Sequence, residues 1–136
     1  MQKTNIMVTD DVRGIRESIK VIFEDQFNVE EASSGVEALE KLKLGKTYLV
    51  ILDVLMPGMD GIETLEKIKA LNADVEVCIM TSVSDFKMIS RAKELGAFDY
   101  VTKPFDVERI RTIVAAMEKR LRTRGVLPSQ GFEKLN

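Results

Sequence analysis

The apolar positions along this chain alternate between two periods. Ile6-Met7-Val8 is a short run that Asp10-Asp11 ends, as a buried strand would, and Ile15, Ile19, Ile22 and Phe23 then recur at helical spacing. Asn28 to Ala32 reads as a weaker, edge-like strand. Ser33-Ser34-Gly35 opens a second helix with Val36, Leu39 and Leu42 on one face. Tyr48 to Leu52 is continuously apolar, as a central parallel strand covered on both faces requires. A loop, Pro57-Gly58-Met59-Asp60-Gly61, precedes a third helix marked by Ile62, Leu65, Ile68 and Leu71. Val75 to Met80 is a fourth strand. Ser84-Asp85 looks like a helix start, Phe86, Ile89, Ala92 and Leu95 give the stripe, and Gly96 closes it. Phe98 to Thr102 is the fifth strand, and Val107, Ile110, Val114, Met117 and Leu121 mark a final helix.

Strands and helices in strict alternation predict an α/β fold. Right-handed crossovers wind five such units into a doubly wound (βα)5 arrangement with helices on both faces of a parallel sheet. Gly125 to Asn136 has no periodicity. Residues 1–123 are therefore expected to form one domain, and 124–136 a flexible tail or the start of a linker.

Composition narrows the chemistry. The chain has 136 residues, 45% hydrophobic and 31% charged, the balance of a globular protein with a real core. Its formal net charge of −2 lacks the footprint of a nucleic-acid binder, so direct nucleic-acid contact is not expected. Histidine is absent, which removes His-dependent triads and His-ligated metals. The single cysteine, Cys78, excludes an internal disulfide. The first apolar run is far too short for a signal peptide, and nothing approaches the roughly 18 apolar residues of a membrane span. The expected location is the cytoplasm.

In an open parallel sheet, ligands bind outside the carboxyl ends of the strands. Strand one ends in Asp10-Asp11, strand three in Asp53, strand four in Thr81-Ser82 and strand five in Lys103. Three clustered aspartates repel, so at least one pKa should rise unless a cation joins them. Oxygen ligands alone suit a hard cation, and few carboxylates plus water suit Mg²⁺. A lysine and a hydroxyl beside such a metal make a receptor for a phosphoryl group. An aspartate can itself be the nucleophile.

From about Lys3 to Arg122 the chain resembles the receiver domain of two-component response regulators, the CheY-like fold. The resemblance rests on Val8-Thr9-Asp10-Asp11, on Leu52-Asp53-Val54-Leu55-Met56-Pro57-Gly58-Met59-Asp60-Gly61, on Met80-Thr81-Ser82, and on Gly96 to Phe105. It implies a flavodoxin-like strand order of 2-1-3-4-5. It implies that Asp53 accepts a phosphoryl group from a phosphohistidine on a sensor histidine kinase or histidine phosphotransfer protein. Asp11, Asp53 and the backbone carbonyl of Leu55 would ligate Mg²⁺, with Mn²⁺ able to substitute and Asp10 assisting through water. Lys103 would pair with the phosphoryl group across a cis Lys103–Pro104 bond. Thr81 would swing toward it, and Tyr100 would turn inward. The surface of the fourth helix, fifth strand and fifth helix would then engage a downstream partner or the chain's own output domain. A phosphorylation-dependent homodimer is a further arrangement that the family allows. Leu55 and Val83 would flank attacking water, and neither can orient one, which implies slow self-dephosphorylation.

The same residues leave rivals. A phosphorylation-independent receiver-like binding module would keep the fold without the chemistry. A Mg²⁺-dependent phosphohydrolase of the haloacid-dehalogenase type needs Asp-x-Asp after one strand, whereas Asp10 and Asp11 are adjacent. In a flavodoxin-like flavin carrier, that acidic pair would repel the phosphate it must cradle. No turnover of an external substrate is expected.

Overall fold

Along the chain run β1 (Thr4–Thr9), α1 (Arg13–Phe23), β2 (Phe27–Ala32), α2 (Gly35–Leu42) and β3 (Leu49–Asp53). They are followed by α3 (Gly61–Leu71), β4 (Glu76–Thr81), α4 (Phe86–Glu94), β5 (Asp99–Thr102) and α5 (Val107–Thr123). The computed structural model describes residues 3–56, 58–82 and 86–129. All strand pairings are parallel, in the order β2-β1-β3-β4-β5. The chain reverses its direction of winding between β1 and β3, which opens a crevice at their carboxyl ends.

Alternate residues of the strands feed two cores. On one face Ile6, Val8, Leu49 and Ile51 pack with Ile19 and Phe23 of α1 and Ile110, Val114, Met117 and Leu121 of α5. On the other, Met7, Val50 and Leu52 pack with Ala38 and Leu42 of α2, Leu65 and Ile68 of α3, and Ala92 of α4. All five residues of β3 are buried, as its unbroken apolar run predicts.

The predicted elements differ from the observed ones at a few points. Val36 was expected on the buried face of α2, yet it is exposed, and Ala38 takes that place. Phe86, expected in the stripe of α4, is 79% exposed. Ser84-Asp85, read as the start of α4, and Val83 lie outside the described residues. The stretch read as an unpatterned tail begins with ordered packing. Gly125 turns the chain at φ +78, the Val126 and Leu127 amides donate to the Leu121 carbonyl, and both side chains join the α1–α5 core. No helix among the described residues is long and apolar enough to cross a membrane.

Candidate functional site

The site forms where the strands end. The Asp10 N–H donates to Ala32 O at 3.1 Å, and Asp10 Oδ1 accepts from the Val12 N–H at 2.8 Å. Asp10 is thereby turned in and fully buried, whereas Asp11 next to it is exposed. The N-cap of α1 is Val12, without a side-chain cap, so the acidic pair does not serve as one. Asp53 is the last residue of β3, opposite Met80, and is buried. Its position is set by Gly61, whose N–H donates to Val54 O at 3.0 Å. A Cβ at Gly61 would stand 2.3 Å from Val54 Cα and 2.4 Å from the Asp53 carbonyl oxygen, so only glycine lets α3 come this close. Lys103 follows β5, its N–H donating to Thr81 O at 2.8 Å, and the Lys103–Pro104 peptide is cis.

These loops bring one carboxylate oxygen each of Asp10, Asp11 and Asp53 within 4.8 Å of one another. Lys103 Nζ bridges two of them, at 2.8 Å from Asp10 Oδ2 and 3.2 Å from Asp53 Oδ2. Burial raises the Asp53 carboxyl above its ordinary range and the Asp10 charge adds to this. The Leu55 N–H and Lys103 oppose the rise without cancelling it. Burial pulls Lys103 the other way, but its contacts with Asp10 and then Asp53 outweigh that, so its pKa is raised and it stays an ammonium.

Three carboxylates and one ammonium carry a local charge of −3 + 1 = −2 when all are ionised. A dication of oxygen preference cancels that charge, and the all-carboxylate donor set, without His or Cys, fits Mg²⁺.

The remaining predicted residues lie on β4, on β5 and just after β3. Thr81 is buried at the end of β4, opposite Thr102. Leu55 is exposed and donates its N–H to Asp53 Oδ1 at 3.2 Å. Tyr100, opposite Ile79, is part-buried, with Lys93 Nζ 5.9 Å and the Arg109 guanidinium carbon 5.5 Å from its ring centre. Cys78 is buried with its thiol pushed up to about 12 by desolvation, which makes it part of the core and not a nucleophile. Arg16 is a residue that sequence reasoning missed: its Nη1 donates to the Asp10 carbonyl at 2.7 Å.

Comparison with known proteins shows the family. The model of the response regulator receiver domain matches residues 6–115. Sporulation initiation phosphotransferase F of Bacillus subtilis (strain 168) is 37% identical over 115 residues, spanning 84% of this chain and 93% of its own. Chemotaxis protein CheY of Halobacterium salinarum is 36% identical, over 74% of this chain and 84% of its own. Among solved structures, the CheX–CheY–BeF3–Mg²⁺ complex of Borrelia burgdorferi matches with a TM-score of 0.81 at 26% identity, covering 85% of this chain and 89% of that one. The chain belongs to the response regulator receiver domain family.

Receiver domains are signalling domains of two-component systems rather than classical enzymes, and they bind Mg²⁺ at an acidic pocket. Membership implies dealings with histidine kinases or phosphotransfer proteins on one side, and with output domains or separate partners on the other.

Proposed function

We propose that this chain is a phosphorylation-dependent switch whose phosphoacceptor is Asp53, held by Lys103 and assisted by Mg²⁺. The observation that carries the reading is the Lys103 ammonium bridging two buried carboxylates at the end of the sheet. A buried ion triad with excess negative charge costs stability, and phosphoryl transfer gives a reason for it.

Asp11, Asp53 and the Leu55 carbonyl would hold the metal directly and Asp10 through water. When bound, Mg²⁺ (or Mn²⁺) neutralises charge that develops on the transferring phosphoryl oxygens. Asp53 attacks the phosphorus of a phosphohistidine. The P–N bond breaks as the O–P bond forms, its electron pair stays on the ring nitrogen, and the imidazole, already protonated on its other nitrogen, leaves neutral. Lys103 then exchanges its contact with Asp53 for a phosphoryl oxygen, and the Thr81 hydroxyl donates to another. The phosphoryl group adds about −1.5 to −2 charge, and Thr81 and Tyr100 carry the change to the α4–β5–α5 face. Coupling of about 1–3 kcal/mol is the usual scale for such a shift.

Donors are a sensor histidine kinase or histidine phosphotransfer protein. The reader is a downstream protein or an output domain, and a phosphorylation-dependent homodimer is a third arrangement. Residues 1–123 form the receiver unit of this proposal, acting in the cytoplasm. The Borrelia burgdorferi neighbour, solved with BeF3, Mg²⁺ and CheX, supports a metal-assisted, partner-directed role.

Acetyl phosphate with and without Mg²⁺, followed by intact mass beside Asp53→Asn, tests the reading. A Mg²⁺-dependent gain of one phosphoryl group, absent in the variant, is expected. No gain would leave a binding module switched by contact alone.

A further inference from the structure

The Asp10–Asp11 turn must point two carboxylates into one small space, yet α1 supplies no backbone donor for the carbonyl between them. The first amides that bond back, Ile15 and Arg16, both go to Val12 O, at 3.2 and 3.3 Å. The Asp10 carbonyl is taken instead by the Arg16 side chain at 2.7 Å. That carbonyl belongs to the peptide linking Asp10 to Asp11, so fixing it fixes the direction in which Asp11 leaves the turn. The other anchors of the turn are the Asp10 N–H on Ala32 O and the Val12 N–H on Asp10 Oδ1.

Arg16 is itself held. Its Nε donates to Glu31 Oε1 at 3.2 Å, and its side chain is only 15% exposed. Glu31 sits in β2, in register with Val8 of β1. The rigid edge of the sheet therefore sets the guanidinium, and the guanidinium sets the turn. Glu31 has a second effect. An uncompensated guanidinium beside the acid cluster would repel a dication, and the Glu31 carboxylate cancels that charge.

We infer that Arg16 is a positioning residue for metal binding, aiming Asp10 and Asp11 through the backbone carbonyl between them, and that Glu31 both fixes it and neutralises its field. The inference rests on the Mg²⁺ reading of the site.

Direct Mn²⁺ titration, followed by electron paramagnetic resonance on the full chain, tests it without any phosphoryl donor. Arg16→Ala should raise the Mn²⁺ Kd on the order of tenfold, as loss of a group orienting a metal's ligands typically does. Arg16→Lys keeps the charge but replaces the two separated donors Nε and Nη1 with a single ammonium nitrogen, and should fall between Arg16→Ala and the parent. Glu31→Gln keeps an acceptor and removes the charge, so its smaller loss should shrink relative to the parent as salt is raised. The Arg16→Ala loss, being geometric, should persist in high salt. Thermal melts of each protein exclude unfolding as the cause.

Parent-like Mn²⁺ affinity in a folded Arg16→Ala or Arg16→Lys protein overturns the inference while leaving the site intact. A parent chain that binds no Mn²⁺ overturns the metal reading itself, and this inference with it.

Discussion

Asp53 is buried beside Asp10, and its carboxyl is held above the ordinary range chiefly by desolvation. A raised folded pKa has a definite sign. Its contribution to stability is complete below the unfolded value and is lost as pH rises through the folded one. Ionising Asp53 in the metal-free folded protein therefore costs more than in the unfolded chain. Asp53→Asn should melt a few degrees higher than the parent at pH 7 without Mg²⁺, and the difference should narrow on acidification. Saturating Mg²⁺ should reverse the order, because ligand binding stabilises the parent more than a variant lacking one carboxylate. Melting curves at two pH values, each with and without Mg²⁺, decide it, and a metal-free variant less stable than the parent at pH 7 would sink the argument. Leu55 gives a second test at this scale. Its backbone N–H bonds to Asp53, and its exposed apolar side chain can offer attacking water no hydrogen bond. Leu55→Asn should shorten the life of the phosphorylated state severalfold, read as decay of the phosphorylated mass, and an unchanged lifetime would refute the role.

Where α3 meets β3, the contact tolerates no side chain. Gly61→Ala places a methyl against the backbone of Asp53 and Val54. It should cost about 1–3 kcal/mol in a urea titration, the range of overpacked sites. It should also slow phosphorylation by acetyl phosphate, since Asp53 must move to admit it. Retained stability and rate would mean that α3 can retreat freely. Gly61 was visible in the sequence as the end of a loop motif, but the 2.3 Å approach that demands it was not. The same division holds across the elements. β3 announced itself because a strand covered on both faces has no polar position to hide. α2 and α4 were placed correctly, but their faces were misjudged at Val36 and Phe86. Small Ala38 and Ala92 let these helices ride close to the sheet, while large apolar side chains near them stay at the surface. Asp10, Asp53 and Lys103 were legible because parallel strands deliver their ends to one edge. Arg16 and Glu31 were not, because strand order gives neither the register that sets Glu31 opposite Val8 nor the direction in which the Arg16 side chain leaves α1.

β4 divides the molecule into two ends. Thr81 closes it at the candidate site, and Glu76 opens it at the far edge of the sheet. Glu76 lies inside the run Val75 to Met80, read as the fourth strand, and its side chain is only 3% exposed. Arg124 Nη1 pairs with it at 2.9 Å and Arg120 Nε stands 3.7 Å away, while Arg124 also reaches Asp74 at 2.6 Å. Arg120 and Arg124, at the end of α5, thus clamp α5 to the start of β4. The two sides of this clamp differ in burial, so their removal should differ in cost. Arg124 is 36% exposed, and losing its partner returns it largely to water. Glu76 has no such escape. Arg124→Ala leaves the buried carboxylate with the more distant Arg120 and the charge of Lys69, and should cost about 1–3 kcal/mol, below the full penalty for an unpaired buried charge. Glu76→Gln keeps an acceptor for Arg124 and removes the buried charge, and should cost less than about 1 kcal/mol. Both variants should accept phosphate from acetyl phosphate at the parent rate, since the clamp lies at the opposite end of the strand from Thr81. Urea titrations of the two proteins settle the order. Equal losses would mean that Glu76 is stabilised by something other than these arginines, and a slowed phosphorylation would mean that the two ends of β4 are coupled.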